Sequence, residues 1–445
     1  MEPLKDILER VSDFHCIISG EETMFTGVLL NKGNKVSLRG RVGLEQCNKI
    51  NHYKPFQVWG NVQGTPITLL NCYFESGDYV WKEECESVDF SPSEIVIGRA
   101  VSDKLNIKHI STTIPALNYM FSSFPFDLKA NFSKTQPSIL DYTFPERITV
   151  DDKYGHINVY QTFGYRTGAC GINFEIRPVI EYQFYHSMET MDAVGRIATV
   201  RNLFSFFANY NLPLKSFSFS DEQSPKANGI FLDDCSIFLN HNENIPEPEE
   251  LFLITTSMFS DDFPYIWEKW LLLYEEAKHI PTLFYEIICD RSTRTNRFLN
   301  LAQAVEVYSC KYRENEAKRI TDMQVKHKRR PQDPPYLRYR FEDVFTLLKD
   351  DIAILESIIA PLSKALADMR NFFTHYGENH VEPSYQEMLA ACHILEFVLL
   401  AIIYHTIGIS AQHIQSCKKR VQFQRFDEYI DMLLNYSTKS TQGNP

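Results

Sequence analysis

Ile352–His375, IAILESIIAPLSKALADMRNFFTH, decides how the second half of this chain is read. Its apolar residues Ile352, Leu355, Ile359, Leu362, Leu366, Met369 and Phe373 recur every three or four positions, which puts them on one face of an α-helix. Pro361 interrupts the run and predicts a kink or two abutting helices there. Gly377 and Pro383 end it beyond His375. Just before that end stands Arg370-Asn371-Phe372-Phe373-Thr374-His375. Arginine keeps its charge and forks onto phosphate, and histidine moves protons near neutral pH. Those two groups suit metal-free cleavage of RNA. Helical spacing alone does not join them, because five residues leave the side chains about 140° apart. Asn371 and His375, four apart, share a face better. A surface arginine and a helix-end histidine welcomed by the helix dipole have the same spacing.

The helical reading extends to both sides. Phe298, Leu301, Val305, Tyr308 and Tyr312 keep the same period. Met388–Ile409 is long enough to span a membrane. It carries His393, Glu396 and His405 without a basic flank before it, so a buried helix in a bundle or dimer interface is expected. A shorter helix is expected near Phe426–Leu434. Toward the N-terminus the pattern changes to short strands: Met24–Leu30, Lys35–Val42, Phe56–Val62, Ile67–Phe74, His156–Phe163 and Gly171–Ile176. Strands at this spacing suggest an antiparallel sandwich or curled sheet. Met188–Tyr210 reads as one helix packed on that sheet, and alternation returns at Leu214–Ser220 and Gly229–Leu239. Ile245-Pro246-Glu247-Pro248-Glu249-Glu250 has the prolines and acids of a linker entering a helix. The expected architecture is α+β: a β-rich domain with a packed helix over 1–245, then an all-helical bundle over 250–445.

Composition limits the function classes. The 445 residues carry a net charge of −12, so a general nucleic-acid-binding coat is excluded and any RNA contact needs a local patch. Ten scattered cysteines form no C-x-x-C pair and no zinc spacing, as expected of free thiols in a reducing cytoplasm. The N-terminus lacks the apolar core of a signal peptide. The β-rich half contains no G-x-G-x-x-G, P-loop or G-x-S-x-G motif. Gly164–Gly168 reads there as an exposed loop. The one strong basic segment is Lys311–Arg340. It holds Lys311, Arg313, Lys318, Arg319, Lys326, Lys328, Arg329, Arg330, Arg338 and Arg340 against Glu314, Glu316, Asp322 and Asp333. With Tyr336 and Tyr339 interleaved, it fits an RNA-backbone contact on a mobile loop, with rings available for stacking. It fits equally a solvated helix end and linker. Glu306, beside the apolar stripe of its helix, reads as a polar flank residue rather than a catalytic acid. Tyr376 reads as a packing or stacking residue and His380 as a solvated loop histidine.

R-N-x-x-x-H at Arg370, Asn371 and His375, late in a long helix of an all-helical half, resembles the HEPN superfamily. Phe298–Tyr308, FLNLAQAVEVY, is similar to the second conserved stretch of ApeA-like HEPN proteins. Trp267-Glu268-Lys269-Trp270 through Pro281 fits the same group, as does a β-rich domain ahead of the bundle. The resemblance implies an anti-phage abortive-infection effector whose HEPN domain is a metal-independent ribonuclease, with no cofactor and no metal. It implies that two chains pair so that both motifs line one cleft, with Arg370 and His375 catalytic and Asn371 in support. RNA would supply its own 2′-hydroxyl nucleophile. A dimer would supply two histidines, for base and acid, and two arginines for the phosphate. The substrate expected from the superfamily is tRNA, and Lys326, Lys328, Arg329, Arg330, Arg338 and Arg340 are the candidate RNA guides. The N-terminal domain would sense a phage component or hold the nuclease inactive. The chain is expected to be cytoplasmic and off the membrane. The competing reading is a non-catalytic helical module that binds RNA or protein during phage sensing.

Overall fold

The computed structural model describes residues 9–18, 21–32, 35–43, 54–80, 85–99, 106–121, 126–129, 139–142, 147–168, 171–214, 216–221, 227–231, 252–258, 262–289, 293–324, 333–375 and 381–442. The chain divides into two compact units. One comprises Met1–Asn118, Ser123–Arg201 and Leu212–Ile245; the other comprises Tyr119–Ser122, Asn202–Asn211 and Pro246–Pro445.

The first unit is built on a closed barrel. Strands β1 (Val11–Ile18), β2 (Glu21–Lys32) and β3 (Lys35–Gly43) form one antiparallel meander. Strands β4 (Phe56–Val62), β5 (Thr65–Val80) and β6 (Cys85–Ser91) form a second. β4 pairs with β1 and β3 pairs with β6, so each of the six strands has a partner on both sides. Closure removes the exposed edges that invite aggregation. Of the two expected arrangements, a sandwich or a curled sheet, the strands take the second, and the curl closes into a barrel. Strand alternation fills its interior: Phe14, Phe25, Leu29, Leu38, Val58, Ile67, Leu69, Val88 and Phe90 are buried. Phe25 and Phe90 meet with ring centroids 5.9 Å apart. Gly40 makes room for them, since a Cβ there would lie 2.5 Å from the Phe25 ring.

From the barrel the sheet continues. β5 also pairs, through Ile67–Leu70, with β7 (Glu94–Ile97). Next come β15 (Ala227–Phe231), β14 (Ser216–Asp221), β8 (Asn106–Thr113), β13 (Gly171–Glu189), β12 (Gly155–Gly168) and β11 (Ile148–Asp151), all antiparallel. A separate hairpin joins β9 (Phe126–Lys129) to β10 (Ile139–Tyr142). Gly164–Gly168, expected as a loop, is the end of β12 and pairs with Gly171–Glu175 of β13. The helix expected over Met188–Tyr210 is α1 (Thr190–Ala208); Met188 and Glu189 instead pair with β8. Its buried residues, among them Ile197, Val200, Leu203, Phe204, Phe206 and Phe207, cover more than one face. Ile245–Glu250 and the end of the Gly229–Leu239 stretch lie outside the described residues.

In the second unit the described residues form α2 (Phe263–Ala277), α3 (His279–Cys289), α4 (Arg294–Tyr312), α5 (Glu314–Gln324), α6 (Leu337–Leu347), α7 (Glu356–His375), α8 (Tyr385–Ile407), α9 (Ala411–Lys418) and α10 (Phe426–Gln442). The last two turns of α1, from Asn202, count with this unit, where the Phe206 ring centroid lies 4.9 Å from that of Phe284 and 5.1 Å from that of Trp270. α8 is the core helix. It is long and apolar enough to cross a membrane, yet 83% of its apolar window is buried against other parts of the protein. It packs on α2, α4 and α10. Ser384 and Glu387 form a reciprocal capping box at its start, and Gly408, at φ 90°, ends it in the left-handed conformation. Of its two buried carboxylates, Glu387 belongs to that capping box, and Glu396 is matched by Arg297 at 2.6 Å and Asn209 at 3.0 Å.

The stretch that opened the sequence reading is divided differently from the expectation. Ile352 and Ile354 are buried, but they lie in the turn between α6 and α7, where Ala353 takes φ 50°. The helix starts at Glu356, and Pro361 sits inside one continuous helix rather than at a junction. α10 also runs eight residues beyond the expected Leu434.

Candidate active site

α7 carries the motif from core to surface. Leu362, Ala365, Leu366 and Met369 are buried and anchor the helix. Its last turn then emerges, with Arg370, Asn371, Phe372 and Phe373 half-buried and Thr374 exposed. Phe373 meets buried Phe298 of α4, with ring centroids 6.3 Å apart. That contact registers α7 against α4, and eight residues further along α4 stands Glu306.

The Arg370 side chain is 30% exposed. One terminal nitrogen donates to Thr374 Oγ1 at 3.3 Å. The other lies 3.6 Å from Glu306 Oε2, an ion pair too long for a good hydrogen bond. The two side chains share a cleft of about 770 Å³, lined by Leu299, Gln303, Glu306, Val307, Cys310 and Lys311 of α4 and by Arg370 and Thr374 of α7. The α4 contributors fall at one helical stripe, so the cleft floor is a single face of that helix. Burial pushes the Cys310 thiol above its usual range, so it lacks the depressed pKa of a reactive thiolate. Asn371 is half-buried and its carbonyl accepts from Thr374 Oγ1 at 3.4 Å. His375 is the last residue of α7; its side chain, like Tyr376 and His380, lies outside the described residues.

The structure therefore gives Glu306 a place the sequence reading withheld. Its position beside the apolar stripe is compatible with a solvated flank, and only the α4–α7 packing sets it against Arg370.

The basic segment fares differently. Lys326, Lys328, Arg329 and Arg330 lie outside the described residues. Arg340, expected to contact RNA, is 4% exposed and donates to Glu314 at 2.6 Å and to Ser309 at 3.4 Å. This corrects its assignment: a buried, ion-paired guanidinium links α5 to α6 and is not offered to a polyanion. Arg313 likewise grips buried Asp343 with two hydrogen bonds, at 2.8 and 3.0 Å. Lys318 and Arg319 pair with Glu314 and Glu316. Arg338 is half-buried, its guanidinium 5.5 Å from the Tyr339 ring centroid. Much of the local positive excess is thus spent within the protein, while Lys311 remains exposed at the cleft.

Two family models match the chain. Residues 14–270 match the ApeA N-terminal domain 1, and residues 299–413 match the Apea-like HEPN domain. No curated protein and no solved structure matches. The HEPN match spans Glu306, Arg370, Asn371 and His375. A β-rich region with a barrel and a helix, followed by an all-helical region that holds this cleft, is the architecture of the family to which the chain belongs: ApeA, with its N-terminal domain joined to an Apea-like HEPN domain.

Proposed function

We propose that the protein is a metal-independent endoribonuclease of the HEPN type, acting on cellular RNA in anti-phage abortive infection. The observation that carries the reading is the state of Arg370. Its guanidinium faces a nucleotide-sized cleft, and among the described residues it is held by contacts of 3.3 and 3.6 Å. A phosphoryl oxygen makes shorter, charge-assisted bonds of about 2.8 Å to arginine and takes that place readily. The 2′-oxygen then attacks the adjacent phosphorus. Its proton passes to a base, the O2′–P bond forms and the P–O5′ bond breaks. The leaving 5′-oxygen receives a proton from an acid, for which His375 is the candidate. Arg370 stabilises the charge that builds on the phosphoryl oxygens. The products are a 2′,3′-cyclic phosphate and a 5′-hydroxyl. In this reading tRNA is the substrate class, two chains pair through the helical region, a phage component releases the activity, and the protein acts in the cytoplasm. Asn371 supports the motif from the same turn as Arg370.

Incubation of the full-length chain with tRNA in EDTA, with end-group analysis, tests this. Cleavage to cyclic-phosphate ends is expected, and Arg370→Ala or His375→Ala should lower it by about 10²- to 10⁴-fold while the fold is retained. Phage protection that survives intact in both variants, with no cleavage under any trigger, would leave a binding module instead.

A further inference from the structure

Arg370 has a companion that the motif does not include. One R-x4-H supplies one imidazole, whereas 2′-hydroxyl attack needs a group to take a proton and a group to give one. From the geometry of the cleft we infer that Glu306 is a catalytic residue, the general base that accepts the 2′-hydroxyl proton, with His375 left as the acid. The inference rests on the ribonuclease reading above and names the group that reading leaves open.

Three observations support it. Glu306 Oε2 is 3.6 Å from the Arg370 guanidinium, and the two side chains are 32% and 30% exposed, so the carboxylate is reachable from the cleft. A phosphoryl oxygen bound to Arg370 at about 2.8 Å lies beside that carboxylate. In a near-attack arrangement the 2′-oxygen of the same linkage is about 3 Å from phosphorus, which brings its proton within direct or one-water reach of Glu306. The cleft, at about 770 Å³, has room for the nucleotide that carries this hydroxyl. Gln303, exposed one turn before Glu306 on the same α4 stripe, is placed to meet the base edge. Among the described residues, the charged and titratable groups lining the cleft with Glu306 are Arg370 from α7 and Cys310 and Lys311 from α4. The step balances: the proton moves from O2′ to the carboxylate, the O2′–P bond replaces P–O5′, and the leaving oxygen takes the imidazolium proton.

The pH profile of kcat/KM distinguishes a carboxylate base from a second imidazole. A carboxylate base places the acid limb near pH 4 to 5, and an imidazole base places it near 6.5. For the full-length chain on tRNA we expect the lower limb. Glu306→Gln should reduce kcat/KM by about 10²- to 10³-fold and remove that limb. Glu306→Asp should restore part of the rate together with the limb. Binding of the same RNA carrying 2′-O-methyl groups should change by no more than a few-fold, since the base acts after binding. A wild-type acid limb near 6.5, or a Glu306→Gln enzyme within a few-fold of wild type, overturns the assignment while leaving the ribonuclease reading intact. Wild-type protein that never cleaves, or cleavage that survives Arg370→Ala, sinks both. Glu306 is a third exposed, so the substitutions leave the core untouched, and a thermal melt verifies this.

Discussion

Two glutamates, one in each unit, show how surroundings decide what a carboxylate does. Glu181 on β13 accepts from His109 at 2.7 Å, Asn158 at 3.3 Å and Arg147 at 3.4 Å. The His109 hydrogen bond, aided by Arg147 and Asn158, holds its carboxyl below the usual carboxylate range. A depressed carboxyl pKa contributes stability that is present above the unfolded value and is lost as pH falls through the folded value. Glu181→Gln should therefore destabilise the β-rich unit by about 1–2 kcal/mol at pH 7 and by progressively less below pH 4, as read from urea unfolding at each pH. Glu306, by contrast, faces a cleft and, among the described residues, pairs with Arg370 at 3.6 Å. The sequence distinguishes neither case, because His109 and Arg147 lie 72 and 34 positions from Glu181 and Arg370 lies 64 positions from Glu306.

At the scale of elements, the helices are held by caps and by a few buried charges. The Gly408 cap of α8 adopts φ 90°, and a Cβ there would lie 2.5 Å from the Tyr265 ring. Gly408→Ala should cost more than about 1–2 kcal/mol, combining left-handed strain with that clash. Arg313→Ala strips both hydrogen bonds from Asp343, whose side chain is 3% exposed. The uncompensated charge should cost about 3–5 kcal/mol, whereas Arg319→Ala, on an exposed pair, should cost under about 1 kcal/mol. Chemical denaturation of the three variants checks the ranking. The same ion pairs explain why a basic run is a poor guide to an RNA surface: Arg313, which caps α4, and Arg340 are conspicuous in the sequence and are consumed in tying the α4–α5 junction and α5 to α6.

At the scale of the whole molecule, the proposed pairing of two chains has its own test. If each cleft takes Arg370 from one chain and His375 from its partner, mixing inactive Arg370→Ala and His375→Ala chains rebuilds one intact site in each mixed dimer. Random pairing then restores about a quarter of wild-type activity. If Arg370 and His375 of one chain act together, mixing restores none.

Much of the architecture was legible because the hydrophobic period changes from two to between three and four along the chain, a purely local property. That period found the strands, the helices and the R-N-x-x-x-H motif at a helix end. It carried through the turn at Ala353, because Ile352 and Ile354 are buried there without being helical. Barrel closure was not legible, since the β1–β4 and β3–β6 pairings join segments that no local pattern connects. By itself the sequence determined the element types, the order of the two regions and the candidate residues Arg370, Asn371 and His375. Only the tertiary structure decided which charges are buried partners, as with Arg340 and Glu314, and which face a cleft, as with Arg370 and Glu306. Pairing and burial of charges depend on packing between distant segments, and a residue's neighbours in sequence carry no record of it.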